Sequence, residues 1–472
     1  MRLKTEVLVI GAGPGGYVAA IRLGQLGKQV VLVDKEGMEG LGGICMNHGC
    51  IPSKALILAS KFFHRIKNAG EMGINISDVS IDGNKLQDWK NGILKKLRTG
   101  VDFLLRKNNV KWIKGTASFE SSSSVRIEGN PEVEAVDFDK AIIATGAVPK
   151  SLEGVELDGK DIISYYEILD LQEIPKDLIV VGGGYIALEM AACYALLGSN
   201  VKLIHRRDQV LRGYDNDVVS VVQRKMQKDG VEFILNSTIS KVEKTNGRLK
   251  VSVKSQEKGE IELEADKLLV SVGVVPNSKN LGLEKTRIKV GGDGFIVIDK
   301  QMRTADPNIF AIGDVASQPM LAHKASREGK LTAEIIAGQN KVFDNKVVPS
   351  VIFSDPEIAA VGMTENSARE KGYDINVGKF PFSALGRAII AGETDGFVKI
   401  IEDKSSGKVL GIVIVGPEAS NLISEAALAV EKGLTTEDIM NTIHPHPTLG
   451  ESLMEAAEAV KKSAVHIINL KM

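Results

Sequence analysis

Short apolar runs that end in glycine recur along this chain and divide it more clearly than any other pattern. Val7-Leu8-Val9-Ile10 runs into Gly11-Ala12-Gly13-Pro14-Gly15-Gly16, and a helical stretch follows to Leu26 and Gly27. A second apolar run, Val30 to Val33, then ends in Asp34. The same order returns at Leu178 to Val181, Gly182-Gly183-Gly184-Tyr185-Ile186-Ala187, a helix to Leu197, and Val201 to Ile204 before His205. The first glycine and the strand-end residue are 23 positions apart in both units (11 to 34, 182 to 205). A lone glycine pattern is weak evidence, but strand, helix and strand repeated in register predict two β-α-β dinucleotide-binding units. In each, the first glycine makes a tight turn, the second admits a pyrophosphate, and the helix N-terminus supplies N–H donors and positive dipole. Asp34 stands where a carboxylate accepts ribose hydroxyls.

Between the two units lie Cys45 and Cys50, in Gly42-Gly43-Ile44-Cys45-Met46-Asn47-His48-Gly49-Cys50-Ile51-Pro52-Ser53-Lys54. Only one other cysteine exists, so the pair belongs to no structural disulfide framework. Positions five apart on an ideal helix point about 140° away from each other, so bridging them requires a distorted turn. Distorted disulfides are the easily reduced ones. Two buried thiols, or half of a metal site, are the bland alternatives, and no clustered partners complete a zinc site. Two dinucleotides beside a thiol pair imply an electron relay through a flavin.

The remaining apolar runs organise the rest. Ala141-Ile142-Ile143-Ala144-Thr145-Gly146 and Leu268-Leu269-Val270-Ser271-Val272-Gly273 each meet a turn, with Pro149 and Pro276 just beyond, and mark passages between domains. Asn308 to Asp314 is another strand, whose terminal acid is placed to reach a flavin's ribityl chain; the bland reading is an ordinary buried strand. Ser121 to Ser124 reads as a polar loop, and from about Val347 strands and amphipathic helices follow without a nucleotide fingerprint. The expected fold is α/β: two Rossmann-like dinucleotide-binding domains, for FAD and NAD(P), plus an α+β C-terminal domain, a dimerisation domain by family resemblance. The expected boundaries are 1–148 completed by 277–344, then 149–276, then 345–472.

Bulk composition changes this picture little. With 472 residues, the chain is long enough for about three domains. Fifty-nine basic against 60 acidic residues leave no electrostatic footprint for nucleic acid or an anionic membrane. No apolar run approaches the roughly 20 residues of a membrane span, and the N-terminus reads as a strand rather than a signal. A reducing, cytoplasmic setting is expected, where a thiol pair is catalytic more often than structural.

Taken together, the motifs resemble the flavin-dependent pyridine-nucleotide disulfide reductases over essentially the whole chain, and within them the dihydrolipoamide dehydrogenases. Gly13-Pro14-Gly15-Gly16-Tyr17, Gly49-Cys50-Ile51-Pro52-Ser53-Lys54, Leu321-Ala322-His323-Lys324-Ala325 and His446-Pro447-Thr448-Leu449 carry the resemblance. It implies that Cys45 exchanges with the substrate disulfide and that Cys50 faces the flavin as a thiolate. Lys54, near the flavin N5, is implied to pair with Glu189 beside the nicotinamide. His446 and Glu451 are implied to be an acid–base pair contributed by the partner subunit of a homodimer, with the ring as base and the carboxylate orienting it. His446–Pro447 is expected to be cis. His444 is a decoy without a proton-transfer role, His48, His64 and His466 have none stated, and Cys193 reads as core. The flavin site is expected at Gly11, Gly13, Gly16, Asp34, Lys35, Gly43, Lys54, Thr145, Gly146, Gly313, Asp314 and Ala322. The nicotinamide-nucleotide site is expected at Gly182, Gly184, Tyr185, Ile186, Glu189, His205, Arg206, Arg207, Arg212 and Gly273; no metal is expected.

Three positions depart from the pattern. A dihydrolipoamide dehydrogenase normally has glutamate where His205 stands, to hold the adenosine ribose of NAD. Here the run is His205-Arg206-Arg207-Asp208-Gln209-Val210-Leu211-Arg212, and Arg206 and Arg212 match arginines that glutathione reductases use for NADPH. Guanidinium groups suit a 2′-phosphate, so a preference for NADP(H) is expected; the bland reading is a surface arginine cluster. Val274 replaces a common arginine, and Asp355 stands where histidine is common. The function expected is oxidation of dihydrolipoamide, or of a lipoyl group on an acyltransferase partner. An NADPH-driven reductase of another low-molecular-weight disulfide is the alternative, and a scaffold subunit of a lipoyl multienzyme complex is the alternative class.

Overall fold

The computed structural model describes residues 1–245 and 247–469. The first sheet has seven strands. Arg2–Ile10 lies at its centre, parallel to Val30–Asp34 on one side and to Ala135–Ile143 on the other. Val110–Lys114 extends one edge, and Ile309–Ala311 returns from far along the chain to pair with Ala135–Ile143. The central strand is longer than the apolar run predicts because it pairs with Ala135–Ile143 from Arg2 onward. Ser121 to Ser124, expected as a polar loop, is a tight turn: strands Thr116–Ser121 and Ser124–Glu128 close on each other there.

Six helices serve the site. They are α1 Pro14–Gln25, α2 Gly43–Asn47, α3 Cys50–Lys67, α4 Gly83–Lys107, α5 Tyr185–Leu197 and α6 Asn216–Lys228. Gly13 is the N-cap of α1 with Pro14 in its first turn, where the missing N–H is no loss. Gly16 fixes how closely α1 lies on the sheet, since a Cβ there would sit 1.8 Å from the Gly11 carbonyl oxygen.

The second sheet is parallel, in the order Val231–Ile234, Asn200–Ile204, Asp177–Val181, Lys267–Val270, Ile162–Ile163. A three-stranded antiparallel sheet over 237–265 adjoins it. The chain passes between the two nucleotide units twice, and the passages meet. Ala147–Pro149 pairs antiparallel with Val274–Pro276, and Thr145 Oγ1 donates to the Asn277 carbonyl at 2.8 Å. The last sheet is antiparallel, in the order Ser350–Ile352, Glu357–Gly362, Val409–Gly416, Phe397–Asp403, Ile375–Pro381. Helices Ala419–Lys432 and Glu451–Val460 pack their buried faces against this sheet. The whole is an α/β protein with two dinucleotide-binding units and an α+β C-terminal unit. Among the described residues no helix is long and apolar enough to cross a membrane.

Candidate functional site

Both glycine turns hold the conformation that a dinucleotide unit requires, but only the first opens onto the large internal cavity. Gly11, Gly13, Asp34, Lys35, Gly43, Lys54, Thr145, Gly146, Gly313, Asp314 and Ala322 all line that cavity, as do Cys45 and Cys50. Gly16 does not line it; it lies beneath, where α1 meets the Gly11 turn. Gly43 touches the turn from the other side, since a Cβ on it would fall 2.5 Å from the Gly13 Cα.

The cysteines sit on two helices rather than one. α2 ends at Asn47, α3 begins at Cys50, and His48 and Gly49 break the helical course between them. That break supplies the distorted turn that a five-residue spacing demands. Both cysteines are free thiols, Cys45 half-buried and Cys50 exposed to the cavity. Their mutual hydrogen bond polarises them in opposite directions. It pushes Cys45 up, with burial adding to the rise. It pulls Cys50 below the ordinary thiol value, and the Lys54 ammonium outweighs part of the opposing burial. Cys50 is the more acidic thiol of the pair.

Lys54, one turn beyond Cys50 on α3, meets Glu189 of α5 with Nζ to Oε2 at 2.8 Å. The other Glu189 oxygen accepts the Phe353 N–H at 2.9 Å, and Lys54 Nζ lies 4.4 Å from the Phe353 ring centre. Glu189 is nearly fully buried, so its charge is matched by two donors rather than by water.

Asp34 has both carboxylate oxygens engaged, by the Ala12 N–H at 2.9 Å and the Glu36 N–H at 3.0 Å. It therefore ties the glycine turn to the strand end while keeping free lone pairs toward the cavity. Burial pushes the Asp314 carboxyl up to about 6, with Lys324 opposing and Glu328 reinforcing the shift. Beneath it, Lys324 and Glu328 form a buried pair at 2.7 Å, and Glu328 accepts the Gly313 N–H at 2.7 Å.

Of the expected nicotinamide-nucleotide residues, Tyr185, Ile186 and Glu189 reach the cavity from α5, and Val274 lies opposite. Gly182, Gly184, His205, Arg206, Arg207, Arg212 and Gly273 do not line it and belong to the outer end of the second unit. His205 packs on the glycine turn, where a Cβ on Gly183 would lie 2.5 Å from the ring. Burial and the positive field of Arg207 and Arg206 hold its imidazole below the ordinary value. Among the described residues, no carboxylate forms a salt bridge with Arg206, Arg207 or Arg212.

His446 and Glu451 stand away from the cysteines, on the C-terminal unit. His446 Nδ1 is 2.8 Å from Glu451 Oε1, and the ring is 79% exposed. Burial pulls the Glu451 carboxyl up, but the Thr448 N–H and the ring outweigh it and hold it below the ordinary value. The His446–Pro447 peptide is cis. His444 pairs instead with Glu425 at 2.9 Å, and Cys193 is buried in the core. Sequence reasoning missed Phe353, His48 and the stacked pair Tyr165–Tyr166, whose ring centres are 4.6 Å apart. His48 packs tilted against Tyr166, with ring centres 4.9 Å apart and its Nδ1 buried and unpartnered. The redox loop itself was the available signal for His48; nothing local marked the others.

Residues 5–329 match the family model described as pyridine nucleotide-disulphide oxidoreductase, and residues 348–457 match its dimerisation domain. The dihydrolipoyl dehydrogenase of Geobacillus stearothermophilus is 45% identical, over 99% of this chain and 98% of that protein. That of Bacillus subtilis strain 168 is 46% identical, over 99% and 98%. The solved structure of LpdA from Mycobacterium tuberculosis superposes with a TM-score of 0.88 at 27% identity, covering 96% of this chain and 99% of that one. The HOCl-induced flavoprotein disulfide reductase RclA from Escherichia coli gives 0.86 at 27%, with the same coverage.

Proposed function

The chain belongs to the pyridine nucleotide-disulphide oxidoreductase family, and we propose that it oxidises a dihydrolipoyl dithiol with a nicotinamide nucleotide, NADP(H) in preference to NAD(H). The observation that carries the redox reading is the placing of Cys45 and Cys50, on either side of the break between α2 and α3, in the wall of the cavity that the first glycine turn lines. The donors present suit FAD. The N-terminal amides of α1 would hold the pyrophosphate, Asp34 the ribose and Asp314 the polyhydroxyl chain, with Thr145, Gly146, Gly43 and Ala322 forming the walls. When bound, FAD supplies the two-electron relay between the dithiol and the nicotinamide.

The chain's own residues perform the thiol chemistry. A substrate thiolate attacks the Cys45 sulfur of the oxidised pair, the Cys45–Cys50 bond breaks, and Cys50 leaves as thiolate. The second substrate sulfur displaces Cys45 from the mixed disulfide, and the substrate departs as a cyclic disulfide. Of its two protons, one stays on Cys45 and one goes to the partner subunit's His446, whose charge Glu451 stabilises. The 79% exposure of His446 in one protomer fits a base that serves the neighbouring active site. Lys54, fixed by Glu189, holds the Cys50 thiolate electrostatically.

Preference for NADP(H) rests on Arg206, Arg207 and Arg212, which surround a strand end that lacks an acid. The test is a matrix of initial rates: NADH and NADPH with lipoamide and with glutathione disulfide, and NAD+ and NADP+ with dihydrolipoamide. Fastest turnover with the lipoamide–NADP(H) pairs is expected. Faster turnover of NADH than NADPH overturns the nucleotide preference, and faster reduction of glutathione disulfide overturns the substrate.

A further inference from the structure

The four-residue turn 353–356 joins strands Ser350–Ile352 and Glu357–Gly362 of the C-terminal sheet, and it is gripped from three helices of the nucleotide-binding units. Lys54 and Lys61 lie seven residues apart on α3, two turns along nearly the same face. Lys54 takes the first residue of the turn, through the Phe353 ring and the shared Glu189. Lys61 takes the next two: its Nζ donates to the Ser354 carbonyl at 3.2 Å and lies 3.3 Å from Asp355 Oδ1. From α6, Lys225 approaches Asp355 Oδ2 at 3.7 Å, although Asp229 at 2.5 Å is its nearer partner. Within the turn, Ser354 is fully buried and its Oγ donates to the Pro356 carbonyl at 2.7 Å. Arg65, one turn beyond Lys61, pairs with Glu393 at 2.5 Å and fastens α3 to the same unit again.

We propose that Asp355 is a positioning residue of the redox site. Its carboxylate, held by Lys61 and approached by Lys225, fixes the turn that presents the Phe353 N–H to Glu189, and so sets where the Lys54 ammonium lies relative to Cys50. A neutral side chain at 355 removes the charge that holds Lys61 and offers it at most an uncharged acceptor beside the Ser354 carbonyl. The turn then loosens, Glu189 loses a donor, and Lys54 is drawn toward the under-satisfied carboxylate and away from the thiolate. The inference rests on the reading of Lys54 as the cation that serves Cys50.

The experiment uses the holoenzyme reduced anaerobically by two electrons, with the long-wavelength absorbance of the Cys50 thiolate against flavin followed against pH. Groups facing Cys50 include Cys45, Lys54 and Glu189. Lys54→Met is the reference and raises the midpoint. Asp355→Asn raises it by about half a unit, a fraction of the 1–3 units a direct charged neighbour exerts. Asp355→Glu restores it, and Lys61→Met with Asp355→Asn shifts it no further than either alone. If Lys54→Met shifts the midpoint and Asp355→Asn does not, the role of Asp355 is overturned while the reading of Lys54 stands. If Lys54→Met leaves the midpoint unchanged, that reading falls, and the proposal with it. Should Asp355→Asn fail to retain flavin, Lys61→Met is read in its place, with the same expected rise.

Discussion

The hydrogen bond between Cys45 and Cys50 makes two chemically identical side chains different. Cys45 is pushed above the ordinary thiol value and Cys50 is pulled below it. Cys45→Ser keeps a donor in place. We therefore expect Cys50 to remain a thiolate, alkylated by iodoacetamide near neutral pH, while dithiol oxidation falls at least about 1,000-fold for want of the exchanging sulfur. Retained turnover would sink the assignment of Cys45. His446→Gln removes the base but not the fold, since the ring is exposed. A loss of about 100- to 10,000-fold in the rate of dithiol oxidation is expected, at unchanged flavin content. Residues such as Cys45, Cys50, Lys54, Glu189, His446 and Glu451 are legible in the sequence because each lies in a short motif of fixed spacing. Phe353 is not, because its bond to Glu189 spans 164 residues and exists only after three units have packed.

Among the elements, the two β-α-β units are readable to within about a residue, apart from the first strand, which begins at Arg2 rather than at its apolar run, since glycine turn and helix period agree there. What could not be read is that their turns face different surroundings. The first is covered by α2, whose Gly43 closes on Gly13, and the second is covered by the His205 ring, which packs on Gly183. That contrast separates two predictions. Gly43→Ala places a Cβ 2.5 Å from the Gly13 Cα, at a backbone φ of +59°. The strain should fall on the glycine turn, so the purified variant is expected to carry far less flavin than the parent at equal protein absorbance. Normal flavin content would show that the cradle is not this tight. Arg206→Ala with Arg212→Ala removes two charge-assisted contacts to a 2′-phosphate, each worth about 1.5–3 kcal/mol. The KM for NADPH should rise by about 100-fold or more while that for NADH stays near its original value. An equal rise for both nucleotides would assign these arginines to the shared part of the cofactor.

For the molecule as a whole, the nucleotide-binding units and the C-terminal unit are joined by buried charge as well as by apolar contact, and composition gives no hint of this. Lys399, on strand Phe397–Asp403, is fully buried and reaches Asp215 at 2.7 Å and Asp217 at 3.0 Å, at the start of α6. Asp215 is itself buried, and its oxygens also accept the Glu365 N–H at 3.2 Å. A lysine flanked by Val398, Ile400 and Ile401 reads in sequence as the polar face of a strand, and only the packing of α6 against the sheet reveals it as an internal cation. Lys399→Met fits the space but leaves the buried Asp215 without its ammonium and Asp217 with Lys379 alone, a loss of about 3 kcal/mol at neutral pH. The pH dependence follows from the direction of the shift. Burial alone would raise Asp217, but Lys379 and Lys399 outweigh it and hold it below the ordinary value of 3.8. In the parent protein its contribution is therefore complete above that value and is lost as pH falls through the depressed one. Without Lys399, Asp217 binds a proton more readily in the fold, and protonation relieves charge left with fewer partners. The gap in melting temperature between parent and Lys399→Met should thus be widest near pH 7.5 and narrow toward pH 4.5. A gap that does not change with pH would mean that Lys399 acts through its methylene packing rather than its charge.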